Sequence, residues 1–177
     1  MATGKSLTNL GRVVGMGMTV VIKTGEKAVL QSGPLTVCSV ATLRIKNTQG
    51  QRLGVAMLHR GFEDQNKFRS DARKALHVLG DPAMLRVEVL AVQTAQDTAV
   101  ESTSSDTEQD LNEDLQHLFK DVNRDDFTKN LTVAPSDGIL SSTRQSQALV
   151  EHNGDVQMVE SEPLLSQIKA LLTGVTK

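Results

Sequence analysis

Over its first sixty residues the chain alternates short apolar runs with polar, glycine-containing breaks. Residues 18–24 read MTVVIKT and residues 27–31 read KAVLQ. Both are short, β-branched and bounded by glycine, which predicts two strands joined around Gly25-Glu26. Ser32-Gly33-Pro34 breaks the chain. Residues 36–46, TVCSVATLRIK, predict a longer strand, residues 47–51 a turn with Gly50, and residues 53–59, LGVAMLH, a further strand that ends at Gly61. Polar tips between such runs favour antiparallel pairing. The period then changes. Phe68, Ala72, Ala75, Leu76 and Leu79 recur at helical spacing and predict a helix over 63–79, stopped by Gly80-Asp81-Pro82. Residues 84–94 return to strict alternation, with Leu85, Val87, Val89 and Ala91 on one face.

Residues 95–110 are polar and acidic and predict a loop, in which Ser105 and Glu108 form a capping box for the next helix. That helix buries Leu111, Leu115, Leu118, Phe119 and Val122. A strand follows over 130–134, then a turn-rich stretch through Pro135, Asp137 and Gly138. Residues 147–152 and 155–160 form a hairpin around Asn153-Gly154, the strongest two-residue turn signal in the chain. Ser161-Glu162-Pro163 opens a last helix with Leu164, Leu165, Ile168, Leu171 and Leu172 on its apolar face. The order is strands, helix, strand, helix, strands, helix. It predicts an α+β fold, with mixed or antiparallel β-sheets packed together and helices flanking them, rather than a doubly wound parallel sheet. The expected division is a flexible N-terminal segment, 1–17, followed by one domain over 18–177. Gly11, Gly15 and Gly17 read as a flexible lead-in. A phosphate loop would need a strand before them and a Lys-Ser/Thr pair after them.

The composition narrows the function classes. A chain of 177 residues buries a core without disulfides. A net charge of -2 argues against a nucleic-acid partner. With no Trp, no Tyr and four Phe, the chain also lacks the aromatic platform of a single-strand binder. The single cysteine excludes an internal disulfide and a Cys-rich zinc site, so no metal is expected. No apolar run approaches the roughly 20 residues of a membrane helix, so membrane insertion is not expected. The N-terminus has no apolar core of a secretory signal. The expected location is the cytoplasm, or outside the cell by a route that needs no such signal.

The cysteine is the chemical lead. Cys38 lies at the start of one predicted strand and His59 near the end of the next. If the two strands pair through the turn at 47–51, thiol and imidazole meet at one end of the hairpin. A Cys–His pair is the minimum machinery for nucleophilic attack on an amide carbonyl. The competing reading is a small buried hydrophobe beside a surface imidazole. His77, His117 and His152 fall off the apolar stripes and read as solvated.

The segment Ser32-Gly33-Pro34-Leu35-Thr36-Val37-Cys38-Ser39-Val40-Ala41, followed by Gly54-Val55-Ala56-Met57-Leu58-His59, resembles the catalytic segment of CheD, the bacterial chemoreceptor glutamine deamidases. The catalytic domains of cytotoxic necrotizing factor and Burkholderia lethal factor share that arrangement. The likeness extends in element order over roughly residues 18 to 160, with Leu131-Thr132-Val133-Ala134, Asp137-Gly138 and Gly154-Asp155-Val156 in corresponding places. Here Thr36-Val37-Cys38 stands where the family has Gly-Ser-Cys or Ser-Gly-Cys. The resemblance implies a CheD-like layered fold and a protein-glutamine deamidase with Cys38 as nucleophile, His59 as acid and base, and no cofactor. It also implies a hydroxyl before the cysteine as third member; Ser32 holds that place, with Thr36 as competitor. The implied partner is a protein substrate, either a chemoreceptor or a protein of a target cell. A non-catalytic interaction module and a Cys–His protease or transglutaminase are the alternatives.

Overall fold

A computed structural model describes residues 11–26, 28–32, 38–96, 101–135, 147–152 and 155–160. Two sheets and a helical layer make up the fold. The larger sheet contains β2 (Thr19–Lys23), β4 (Ser39–Lys46), β5 (Arg52–Arg60), β6 (Arg86–Gln96) and β7 (Leu131–Pro135), in the order β2-β5-β4-β6-β7. The smaller contains β1 (Gly11–Val13), β3 (Ala28–Gln31), β8 (Gln147–His152) and β9 (Asp155–Glu160), in the order β1-β3-β8-β9. Pairing is antiparallel except for β1 with β3 and β6 with β7. The architecture is the α+β class expected from the hydrophobic pattern, with mixed sheets and flanking helices.

Strand alternation divides the core in two. Ala41, Leu43, Ile45, Ala56, Leu58 and Val92 of the larger sheet face the helices, where they meet Phe68, Leu76, Leu111, Leu115, Phe119 and Phe127. Val40, Val55 and Met57 face the other way and pack with Val14, Ile22, Leu30 and Cys38. Leu30 belongs to β3, so this second cluster joins the two sheets. Helix α1 (Gln65–Leu76) starts where the Asp64 carboxylate accepts from the Lys67 amide at 3.0 Å, and it buries Phe68, Ala72 and Leu76. The β4–β5 turn is tied by Asn47, whose side-chain oxygen accepts from the amides of Gln49 and Gln51.

Several expectations are corrected. Strands β2 and β3 do not form a hairpin. After Gly25, at φ +92°, the chain crosses between sheets, β2 pairing with β5 and β3 with β8. Helix α2 (Glu101–Leu118) begins inside the stretch read as an acidic loop, which leaves Ser105 within the helix rather than at its cap. Acidic side chains at a helix N-terminus are favoured by its dipole, and Thr107 anchors the same half in the core at 1 % exposure. A short helix α3 (Arg124–Lys129) precedes β7, capped by Asn123 and holding Phe127 inside. Six residues carry too little periodicity to be read from sequence. Residues 11–17, expected to be a flexible lead-in, form β1 and a hydrogen-bonded turn. The predicted C-terminal helix and the segment 33–37 lie outside the described residues. Among the described residues no helix is long and apolar enough to cross a membrane.

Candidate active site

Both side chains expected to act lie between the sheets at one end of the β4–β5 hairpin. Cys38 stands one residue before β4, not within it, because the ladder begins at Ser39. His59 is the penultimate residue of β5 and pairs with Val40. Continuing the register by one step sets Cys38 on the diagonal from His59, on the face that packs toward the smaller sheet. The imidazole Nε2 lies 2.8 Å from the Cys38 Sγ. The two residues are 3 % and 4 % exposed, respectively.

His59 is held from its other side by the N-terminal segment. Its Nδ1 lies 2.8 Å from the carbonyl oxygen of Val14. A carbonyl only accepts, so Nδ1 carries the proton and donates, which leaves the Nε2 lone pair aimed at the thiol. The backbone of His59 is pinned as well: its oxygen accepts from the Gly17 amide at 2.7 Å, and its amide donates to the Met18 oxygen at 3.0 Å. Between these contacts the chain turns, with Met18 N donating to Gly15 O at 3.0 Å and Gly17 at φ +85°. A positive φ at the third position of a four-residue turn is the type II signature, which calls for glycine. Gly17, read as part of a loose lead-in, is therefore what lets the chain turn tightly beside the imidazole.

Burial lowers the His59 pKa from its ordinary value of 6.5, while the Val14 hydrogen bond and the Glu63 carboxylate act in the opposite sense. The ring is accordingly neutral at neutral pH, the state in which Nε2 takes a proton from a thiol. Glu63 is fixed nearby: its Oε2 accepts from the Gly61 amide at 2.9 Å and pairs with Arg60 at 3.2 Å.

The opposite face of the same strand end is anchored to the helices. Arg60, 2 % exposed, lies 4.9 Å from the Phe68 ring centroid and 2.9 Å from the Asp114 carboxylate of α2. Asp114 also meets Arg69 at 2.6 Å. Burial raises the Asp114 pKa, and the two guanidinium groups oppose that rise. Ser39, next to Cys38, shares its hydroxyl with Thr94 at 2.9 Å and with Thr107 of α2 at 3.2 Å. Both arms of the pair thus rest on strand ends bolted to the helical layer.

Ser32 follows β3 directly and is buried at 4 % exposure. The His59 Nδ1, where an orienting group would act, meets the Val14 carbonyl. Thr36 lies outside the described residues. His77 caps α1 and His117 lies in α2; both are exposed, as expected. Among the described residues no three His, Cys, Asp or Glu side chains gather into a metal-binding group. No family model matches this sequence, and no curated protein matches it.

Proposed function

We propose that the protein is a protein-glutamine deamidase in which Cys38 and His59 form the reacting pair. The observation that carries this reading is the 2.8 Å approach of a neutral imidazole, fixed as its Nδ1–H tautomer, to the chain's only thiol. The CheD-like segment around Cys38 and His59 supports it. In the first half-reaction His59 Nε2 takes the Sγ proton as sulfur attacks the side-chain carboxamide carbon. The tetrahedral adduct collapses, His59 returns the proton to nitrogen, and ammonia leaves. In the second, His59 deprotonates water, which attacks the thioester; glutamate departs and the thiol is restored. Every step uses protein groups and water.

Depth favours a glutamine side chain over a peptide bond as substrate. At 4 % exposure Cys38 sits well below the surface. A carboxamide carried on a thin two-methylene stem reaches such a group with less disturbance than a main-chain amide flanked by two residues. The same burial, with Met16, Met18 and Phe62 exposed close by in sequence, favours the second reading, a non-catalytic interaction protein whose cysteine is a core residue.

The two separate on the full chain. Ammonia release from a glutamine-rich protein such as unfolded casein is measured for wild type and Cys38→Ala, with intact mass to detect amide-to-acid conversion. Loss of release in the variant is expected. Equal release from both proteins, or none from wild type together with no alkylation of Cys38 by iodoacetamide at neutral pH, sinks the deamidase reading. Fragmentation of the substrate would point to proteolysis.

A further inference from the structure

The deamidase chemistry leaves unexplained what recognises the carboxamide, and the larger sheet holds a side chain suited to that task. Val40 pairs with His59 of β5 on one side and with Gln93 of β6 on the other. Residues directly opposite in a ladder share a face, so His59, Val40 and Gln93 form one row across the sheet. Cys38, two residues before Val40, occupies the next row on that face. It is therefore diagonal to both His59 and Gln93. Such diagonal neighbours are about 7–8 Å apart and within reach of long side chains. Gln93 is 5 % exposed, yet its Oε1 is buried without a hydrogen-bond partner among the described residues. A buried unpaired amide oxygen is costly and seldom left in a native core. On the β4–β5 side of Gln93 nothing resolves the deficit: Val40 is apolar, and the His59 ring nitrogens are engaged by Val14 and Cys38.

We infer that Gln93 is the specificity residue that reads the substrate carboxamide, with its Oε1 accepting from the scissile NH2 group and its Nε2 donating to the carbonyl oxygen. This inference rests on the deamidase reading. A primary carboxamide is complementary to another primary carboxamide, one donor and one acceptor each way, and it supplies the donor that Oε1 lacks. The Nε2–H remains in place as negative charge builds on the substrate oxygen. Once ammonia leaves, Oε1 loses its donor. The product carboxylate then sets an acceptor against an acceptor, so glutamate is held less well than glutamine. A site built around such a hydrogen bond rejects the analogue that lacks it.

The test needs no knowledge of the natural substrate. Rates of Cys38 modification are measured on the full chain with iodoacetamide, which carries a carboxamide, with iodoacetate, which carries a carboxylate, and with methyl methanethiosulfonate, which carries neither. Wild type, Gln93→Leu and Gln93→Met are compared, each referenced to glutathione; the methionine keeps the length of the side chain should the leucine variant fold poorly. Wild type should prefer iodoacetamide over iodoacetate more than glutathione does. Both variants should lose about tenfold of that preference, roughly the worth of one to two neutral hydrogen bonds. Their methyl methanethiosulfonate rates should stay within about threefold of wild type, and their Tm should be equal or higher, because a buried unpaired oxygen has been removed. An unchanged preference in the variants overturns the role of Gln93 while leaving Cys38 as nucleophile. So does a lower Tm with all three rates altered together, the mark of a structural side chain. A wild-type Cys38 inert to all three reagents overturns the deamidase reading itself, and this inference with it.

Discussion

His59 is the residue on which the site turns, and its environment fixes the sign of a pH effect. Burial lowers its folded-state pKa below 6.5, so the unfolded chain binds the proton more readily. Stability is then fully present above pH 6.5 and lost as the pH falls from 6.5 through the folded value. Urea midpoints measured over that window should fall with pH, and His59→Gln should flatten the slope; an equal slope in both proteins would contradict the assignment. Gly17 offers a second check. Alanine there would have to adopt φ +85°, and its Cβ would stand 2.8 Å from the Glu63 carboxylate. The expected cost is about 1–2 kcal/mol, with slower alkylation of Cys38 because the turn presenting the Val14 oxygen shifts. Cys38 and His59 were legible in the sequence because hairpin pairing can be read from two apolar runs and a turn. Val14 was not, since its contribution is a main-chain carbonyl, which every residue possesses. Nor was Gln93: its place depends on the β4–β6 register, set across dozens of intervening residues.

At the scale of elements, the position of β5 at the centre of the site depends on close backbone approach. A Cβ on Gly54 would stand 2.2 Å from the carbonyl oxygen of Ile22. That contact is with backbone of the neighbouring strand, so it cannot be relieved by a side-chain rotation. Gly54→Ala should force β2 from β5 and cost about 2–4 kcal/mol. Hydrogen exchange should show faster exchange across residues 19–23 than at β8, and uniform protection would argue against the contact. Most strands were readable from alternation and glycine breaks, and the β8–β9 bounds match their Asn-Gly signal to the residue. What failed was partner choice and helix onset. Consecutive strands β2 and β3 pair with others in separate sheets, and the polar 101–110 segment is helical because tertiary contacts such as Thr107 to Ser39 outweigh weak local propensity.

Across the whole molecule, one ion-pair cluster ties the larger sheet to the helical layer. Removing Asp114, which is fully buried between Arg60 and Arg69, would take the buried carboxylate from a guanidinium that is 2 % exposed and leave it only the more exposed Glu63 and Asp110. Asp114→Ala should cost about 3–5 kcal/mol, whereas the Arg60→Met and Asp114→Leu pair together should recover much of that loss. Chemical denaturation of the three proteins measures the difference, and a double variant no better than the single one would show that the cluster does more than neutralise itself. The layered α+β class was legible at this scale because the periodicity switches between strand and helix spacing along the chain.

The short run from Val13 to Gly17 has a mechanical consequence. Val13 is still paired to Gln31 in the smaller sheet, and Gly17 already bonds His59 in the larger one. The slack between the sheets at that point is no more than Val14, Gly15 and Met16. The two sheets are bound there like pages at a spine, beside the imidazole. Parting the sheets beside the imidazole would therefore mean breaking the backbone pairing at Val13 or at Gly17 rather than taking up slack. The 2.8 Å approach of His59 to Cys38 is thus held where the two sheets are least free to part.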